Sequence, residues 1–176
     1  SFYKVPMNLQ FSFVGLKNFQ TLIRDPEFIT SLRNAIVFVG GSVAGQCGFG
    51  FSAALVLRSI KVGKDIFRAI FLIPWLLSDI SIGTMFIILF HDQYGTINEM
   101  LLSLGLNKIV FLVSTEHAIW VVTAANVWKS SCIVMAICSA GLASIPEDLY
   151  EAAQVDGASF LQRFRRITGP LMKSFL

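Results

Sequence analysis

Three apolar runs, Asn34 to Leu57, Ile66 to Phe90 and Ala118 to Gly141, dominate the chain. Each meets the length needed to cross a bilayer core, roughly 20 apolar residues at about 1.5 Å of rise each. Their charges are few: Arg68 at the near edge of the second run, Asp79 within it, and Lys129 within the third. A soluble fold would have to bury all three runs together behind a polar shell. The chain has no material for that shell, since 55% of its residues are hydrophobic, 14% are charged and mean hydropathy is +0.68, whereas soluble chains carry roughly 25% charge. The composition predicts an all-α integral membrane protein with about three spans, solvated by membrane lipid.

Basic residues orient the spans. Arg58, Lys61, Lys64 and Arg68 fall between the first and second runs, and Arg163, Arg165, Arg166 and Lys173 follow the third. The connection from 91 to 117 holds Lys108 against Asp92, Glu99 and Glu116. Cations concentrate on the cytoplasmic side of membrane proteins, so residues 58–68 and 144–170 are expected inside, 91–117 outside, and Ser1 to Arg33 outside. The net charge of +3 is too small and too scattered for a nucleic-acid partner. Ser1 to Arg33 lacks the basic head and apolar run of a secretory leader. A new apolar segment begins at Pro170, shortly before Leu176. Both ends therefore read as cut from a longer chain.

Cys47, Cys132 and Cys138 lie inside apolar runs; an odd set of thiols there reads as small core residues rather than a disulfide framework. His91 and His117 border the outer connection without the cysteine or acidic spacing of a metal centre. The connection reads as a short surface helix, opened by a Thr96-x-x-Glu99 capping box and closed by Gly105, with Ile97, Leu101 and Leu104 on one face. Gly41 and Gly45 form a small-xxx-small pair in the first span, where a second helix can approach closely.

Beyond the third span the chain turns polar. Ser144 with Glu147 makes a capping box, Pro146 suits a first turn, and Glu147 and Asp148 suit a positive helix end. This helix is expected to stop at Asp156-Gly157, and Ser159 with Gln162 to start another. Glu147, Glu151 and Gln154 share one side of the first helix. Phe160, Phe164 and Ile167 stripe the second, opposed by Arg163 and Arg166. By pattern alone, the first helix fits a partner protein or a membrane interface equally.

The run Glu151-Ala152-Ala153-x-x-Asp156-Gly157-Ala158, followed by Phe164-x-x-Ile167-x-x-Pro170, resembles the cytoplasmic signature loop of binding-protein-dependent permeases of ATP-binding-cassette importers. Ile145-Pro146-x-x-Leu149-Tyr150 is similar to the sugar-uptake branch, which includes maltose and glycerol-phosphate permeases. The likeness extends through Phe13-Val14-Gly15-Leu16-Lys17-Asn18-Phe19, Phe67 to Trp75, Tyr94-Gly95-x-x-Asn98 and Val127-Trp128-Lys129. It implies a fragment of a type I importer transmembrane domain, multi-pass in the cytoplasmic (inner) membrane, holding three of about six spans. It also implies that the loop is a coupling helix docking in an ATPase subunit dimer, with Glu151 facing the ATPase, Gly157 supplying the turn, and Ala152, Ala153 and Asp156 completing the motif. Further implied partners are a second permease subunit and an extracytoplasmic solute-binding protein. ATP and Mg would be held by the ATPase, so no cofactor and no catalytic residue is expected on this chain. Consistent with that, no phosphate-binding glycine loop of the Walker type occurs here.

Two other classes compete. A membrane enzyme would need paired acid–base or metal residues, for which His91 and Asp92 are the candidates. A scaffold would have no use for a coupling loop. Within the transport class, the solute reads as a sugar or oligosaccharide, with a polyol phosphate as the alternative. The polar residues inside the spans, Gln46, Asp79, Asn126, Trp128, Lys129 and Ser130, are the candidate substrate path. Asp79 and Lys129 stand at similar depths, about 16 and 18 Å from the inner surface at the helical rise. Either they pair, or Lys129 lines a wet path while Asp79 meets another subunit.

Overall fold

The computed structural model describes residues 3–4, 12–13, 15–60 and 62–173. Of the features above, Val14, Lys61 and both chain ends lie outside the described residues. The chain forms two compact units, Ser1–Gly40 and Gly41–Leu176. The first holds an antiparallel ladder of two two-residue strands, β1 (Tyr3–Lys4) and β2 (Ser12–Phe13), and a short helix α1 (Lys17–Ile23). Helix α2 (Pro26–Ser59) begins in the first unit and ends in the second. It starts eight residues before the predicted Asn34. The cause is local: Pro26 fits a first turn, Glu27 suits its positive end, and the Asp25 carboxylate accepts the Glu27 N–H at 3.0 Å.

In the second unit α2 packs along α6 (Thr115–Ala143), which contains the whole predicted third span. Gly41 faces Thr123 and Trp120, Gly45 faces Val127, and Gly50 faces Ser131 and Val134. The facing positions rise together, so α2 and α6 run parallel. Contact is close because the glycines carry no side chain. A Cβ at Gly45 would stand 2.6 Å from a Val127 methyl, and one at Gly50 2.8 Å from the Ser131 carbonyl. Across the seam Asn126 Nδ2 donates to Ser42 Oγ at 3.0 Å. In lipid, where no hydrophobic effect drives helices together, such small-residue packing and interhelical hydrogen bonds hold the pair.

Two parallel helices need an intervening segment to carry the chain back. The second run does so, but not as the single span expected over 66–90. It is two helices, α3 (Lys64–Leu76) and α4 (Asp79–Leu89), bent by 93° at the break. Pro74 brings no N–H to its helical turn, and Leu77 and Ser78 are extended. Ser78 Oγ then accepts the Ser81 N–H at 3.2 Å, capping a fresh helix whose first residue is Asp79. The break is thus built from residues that start helices, inside a run whose hydropathy reads as continuous.

Two apolar clusters divide the length of α6. Ala54 and Leu57 of α2 pack with Met135, Cys138 and Leu142 near its end, joined by Ile145 and Met172. Near its start, Val121 packs with Ile82 and Phe86 of α4, bordered by Trp128, Phe90 and Phe111. Cys132 and Cys138 are buried, Cys47 half-buried, and all three thiols are free.

Candidate functional site

Helix α7 (Glu147–Val155) follows α6 after a short turn, at the end of the bundle where α2 also finishes. Its expected capping box does not form. Ser144 belongs to the preceding helix, donating its hydroxyl to the Gly141 carbonyl at 2.7 Å, and Pro146 takes the N-cap position. Glu147 and Asp148 do occupy the first turn, and the helix closes as expected on Asp156 and Gly157, with Gly157 at φ +73°. The Ser159–Gln162 box forms in both directions, Ser159 N–H to Gln162 Oε1 at 2.8 Å and Gln162 N–H to Ser159 Oγ at 3.4 Å.

Helix α8 (Phe160–Arg163) then runs through a π turn at Phe164–Thr168 into α9 (Gly169–Met172). Pro170 stands in the first turn of α9, continuous with the π turn. It lacks the N–H that a regular turn would use, and the wider turn just before it relieves the ladder. The expected stripe is kept in part. Phe164 and Ile167 pack inward against Phe51 and the α2–α6 cluster, but Phe160 is exposed, and half-buried Arg163 donates to Gln154 at 3.4 Å instead of opposing the stripe. Along α7, Glu151, Ala152 and Asp156 are exposed, as is Gly157 beyond its end, and Ala153 is half-buried. The predicted shared edge is present. Glu147, Glu151 and Gln154 line one cavity of about 410 Å³, Glu147 pairing with Arg58 and Gln154 accepting from Arg163.

The polar span residues lie on three helices: Gln46 on α2, Asp79 on α4, and Asn126, Trp128, Lys129 and Ser130 on α6. Asn126 and Ser130 belong to the α2–α6 seam, with Ser130 Oγ donating to Asn126 Oδ1 at 3.3 Å. Trp128 packs on Phe86, ring centroids 6.0 Å apart. Gln46 is half-buried on α2. Asp79 and Lys129 form an ion pair, joining the first turn of α4 to the middle residue of the 29-residue α6. The Lys129 side chain is 22% exposed and that of Asp79 89%, so the pair opens outward on its acidic side.

Residues 91–113 are more ordered than their polarity suggested. Helix α5 (Thr96–Ser103) is capped by Gly95, so the Thr96–Glu99 box is absent, and Glu99 pairs with Lys108 at 3.3 Å instead. Gly105, at φ +76°, follows the helix as expected. Asn98 is fully buried. Its amide donates to the carbonyls of Asp92 at 3.1 Å and Ile109 at 2.9 Å and accepts the Ile109 N–H at 2.9 Å. Asp92 Oδ1 accepts the Phe111 N–H at 2.8 Å, and His91 stacks on Tyr94 at 3.6 Å. The pair considered for acid–base chemistry thus shapes a loop. Asn98 appeared in the sequence only as part of a motif; its burial comes from contacts 11 residues away.

Losing these bonds leaves buried backbone groups unpaired at about 1–3 kcal/mol each. Asn98→Ala is therefore expected to speed tryptic cleavage after Lys108 in the full-length protein at least about tenfold. Cleavage at the unaltered rate would show that the amide does not hold the segment.

Comparison with known proteins fits this arrangement. Residues 46–176 match the family described as binding-protein-dependent transport system inner membrane component, and the chain belongs to that family. It is a family of transport components rather than enzymes. The chain is 37% identical over 164 residues to the trehalose/maltose transport system permease protein MalF of Thermococcus litoralis, covering 93% of this chain and 56% of that protein. It is 33% identical to the sulfoquinovosyl glycerol transport system permease protein SmoG of Agrobacterium fabrum, covering 98% and 57% respectively. A solved bacterial alginate importer, in complex with a periplasmic protein carrying an alginate pentasaccharide, superposes with a TM-score of 0.80 at 26% identity, over 91% of this chain and 56% of that one. The chain thus spans a little over half the length of the relatives it matches.

Proposed function

We propose that this chain is part of the membrane-spanning permease of an ATP-driven importer, moving a sugar or oligosaccharide delivered by an external binding protein, with α7 as the helix that docks on an ATPase dimer. One observation carries this reading: α7, the turn at Gly157 and the capped start of α8 form an exposed unit at the end where parallel α2 and α6 both finish. Glu151, Ala152 and Asp156 stand outward there, Ala153 is half-buried, and Gly157 makes the turn. A rigid helix set against the spans can transmit a push; a frayed one cannot. ATP and Mg belong to the ATPase in this reading.

The break between α3 and α4 supports a transport path. Non-helical backbone at membrane depth is tolerated only inside protein or beside a wet cavity. Ser78 and Asp79 are exposed in this chain, so the second permease subunit or the path itself covers them. The sugar class is favoured by the relative named for trehalose and maltose transport.

The class is tested by ATP-dependent uptake into vesicles containing the full-length transporter and its binding protein, offered labelled maltose, trehalose, maltotriose and glycerol 3-phosphate. Accumulation of at least one saccharide is expected. Uptake of the phosphate ester alone would overturn the sugar class. Orientation is tested separately, by an impermeant thiol reagent on intact cells in a cysteine-free background. Leu106→Cys is expected to label and Val62→Cys to stay protected. The reverse pattern would invert the proposed topology.

A further inference from the structure

Helix α7 has no buried residue, so something other than its own core must tie it to the spans. We propose that Arg58, in the last turn of α2, is the positioning residue that makes this connection. Its guanidinium carbon lies 4.2 Å from the centroid of the Tyr150 ring, on α7, and Nη2 lies 3.5 Å from Glu147 Oε2. The Tyr150 hydroxyl meets the Thr168 hydroxyl at 2.9 Å, and Thr168 is buried inside the π turn. Tyr150 thus stands between the end of α2 and the helix after the coupling loop, half-buried against the α2–α6 cluster.

The two contacts of Arg58 are unequal. Glu147 is 75% exposed and its ion pair is screened by water, whereas the guanidinium, with its side chain 27% exposed, stacks on a ring that is itself anchored. The stacking therefore carries most of the connection, and Glu147 mainly orients it. Because α2 is locked to α6 through the glycine seam, a displacement of α7 felt at Arg58 passes to both long helices.

This inference rests on the reading of α7 as the coupling helix, and hydrogen exchange on the full-length complex with its ATPase separates the two. ATP with vanadate is the only ligand needed, so no solute has to be known. In the wild-type complex, ATPase binding should protect 147–155, and trapping the nucleotide should change exchange at 52–60 by at least about fivefold, the lower range of measured couplings between sites. Arg58→Met and Tyr150→Leu should keep protection at 147–155, yet cut the response at 52–60 below about twofold. Arg58→Lys should restore part of it, since a lysine still reaches the ring without the planar stacking. Glu147→Gln should respond nearly as the wild type does. A full response in both Arg58→Met and Tyr150→Leu, or none in the wild type, overturns the proposal. Failure of both variants to assemble also overturns it, because the contact is then a folding clamp. Absence of protection at 147–155 in the wild type instead removes the coupling-helix reading beneath it.

Discussion

Asp79→Asn and Lys129→Gln are each expected to lower membrane abundance and uptake of the full-length protein, and the double replacement to be milder than their sum. A lone charge at the middle of a span costs roughly 2.5–3.5 kcal/mol on insertion scales. The structure adds an asymmetry to this expectation. Lys129 is largely enclosed, whereas Asp79 is largely open. Asp79→Asn strands a cation inside protein, while Lys129→Gln strands a carboxylate that the path or a neighbour can solvate. Asp79→Asn should therefore be the more harmful change, and the double-mutant coupling should fall at about 1–3 kcal/mol. Strict additivity in both readouts would show that the two charges act separately. The ion pair would then be incidental to transport.

Gly157→Val should leave expression unchanged but reduce the ATPase that co-purifies by about tenfold, equivalent to 1.4 kcal/mol. Nothing lies within 4 Å of a Cβ at this position, so no steric clash explains such a loss. The cause would be the backbone. At φ +73° a left-handed residue with a side chain costs about 1–2 kcal/mol, and β-branching adds to it. The chain would escape by unwinding the end of α7, moving Glu151 and Ala153 relative to each other. Asn, which tolerates this conformation, is the control: Gly157→Asn should retain most of the ATPase. Wild-type recovery with Gly157→Val would mean that the turn is not needed for docking.

These expectations show which parts of the molecule were legible from sequence. The stop at Gly157 and the Ser159–Gln162 box are local signals, decided within one turn of helix, and they appear where they were expected. Two other boxes were lost to nearby competition. The Ser144 hydroxyl is taken by the Gly141 carbonyl of the preceding helix, and Glu99 is drawn to Lys108. The break at Ser78 was legible in principle, because Pro74 and a Ser-x-x-Ser pattern precede a fresh helix. Hydropathy averages over such a signal, since two serines barely alter a long apolar run. The buried role of Asn98 and the stacking of Arg58 on Tyr150 depend on residues brought together by folding, and no period or spacing announces them. The polar span residues illustrate the same limit. Their contacts, in a seam, an aromatic pair and an ion pair, join three helices, α2, α4 and α6, that lie far apart in the chain.

The parallel course of α2 and α6 also sets a schedule for biogenesis. Ser42 meets its partner Asn126 only after 84 further residues have been made. At about 5–20 residues per second, that is a delay on the order of ten seconds. During this interval the glycine-lined face of α2 has no α6 to receive it. Any quality-control machinery that detects unpaired small-residue faces would meet α2 in this window. A pause in translation between α2 and α6 would lengthen that exposure, whereas one placed after α6 would not.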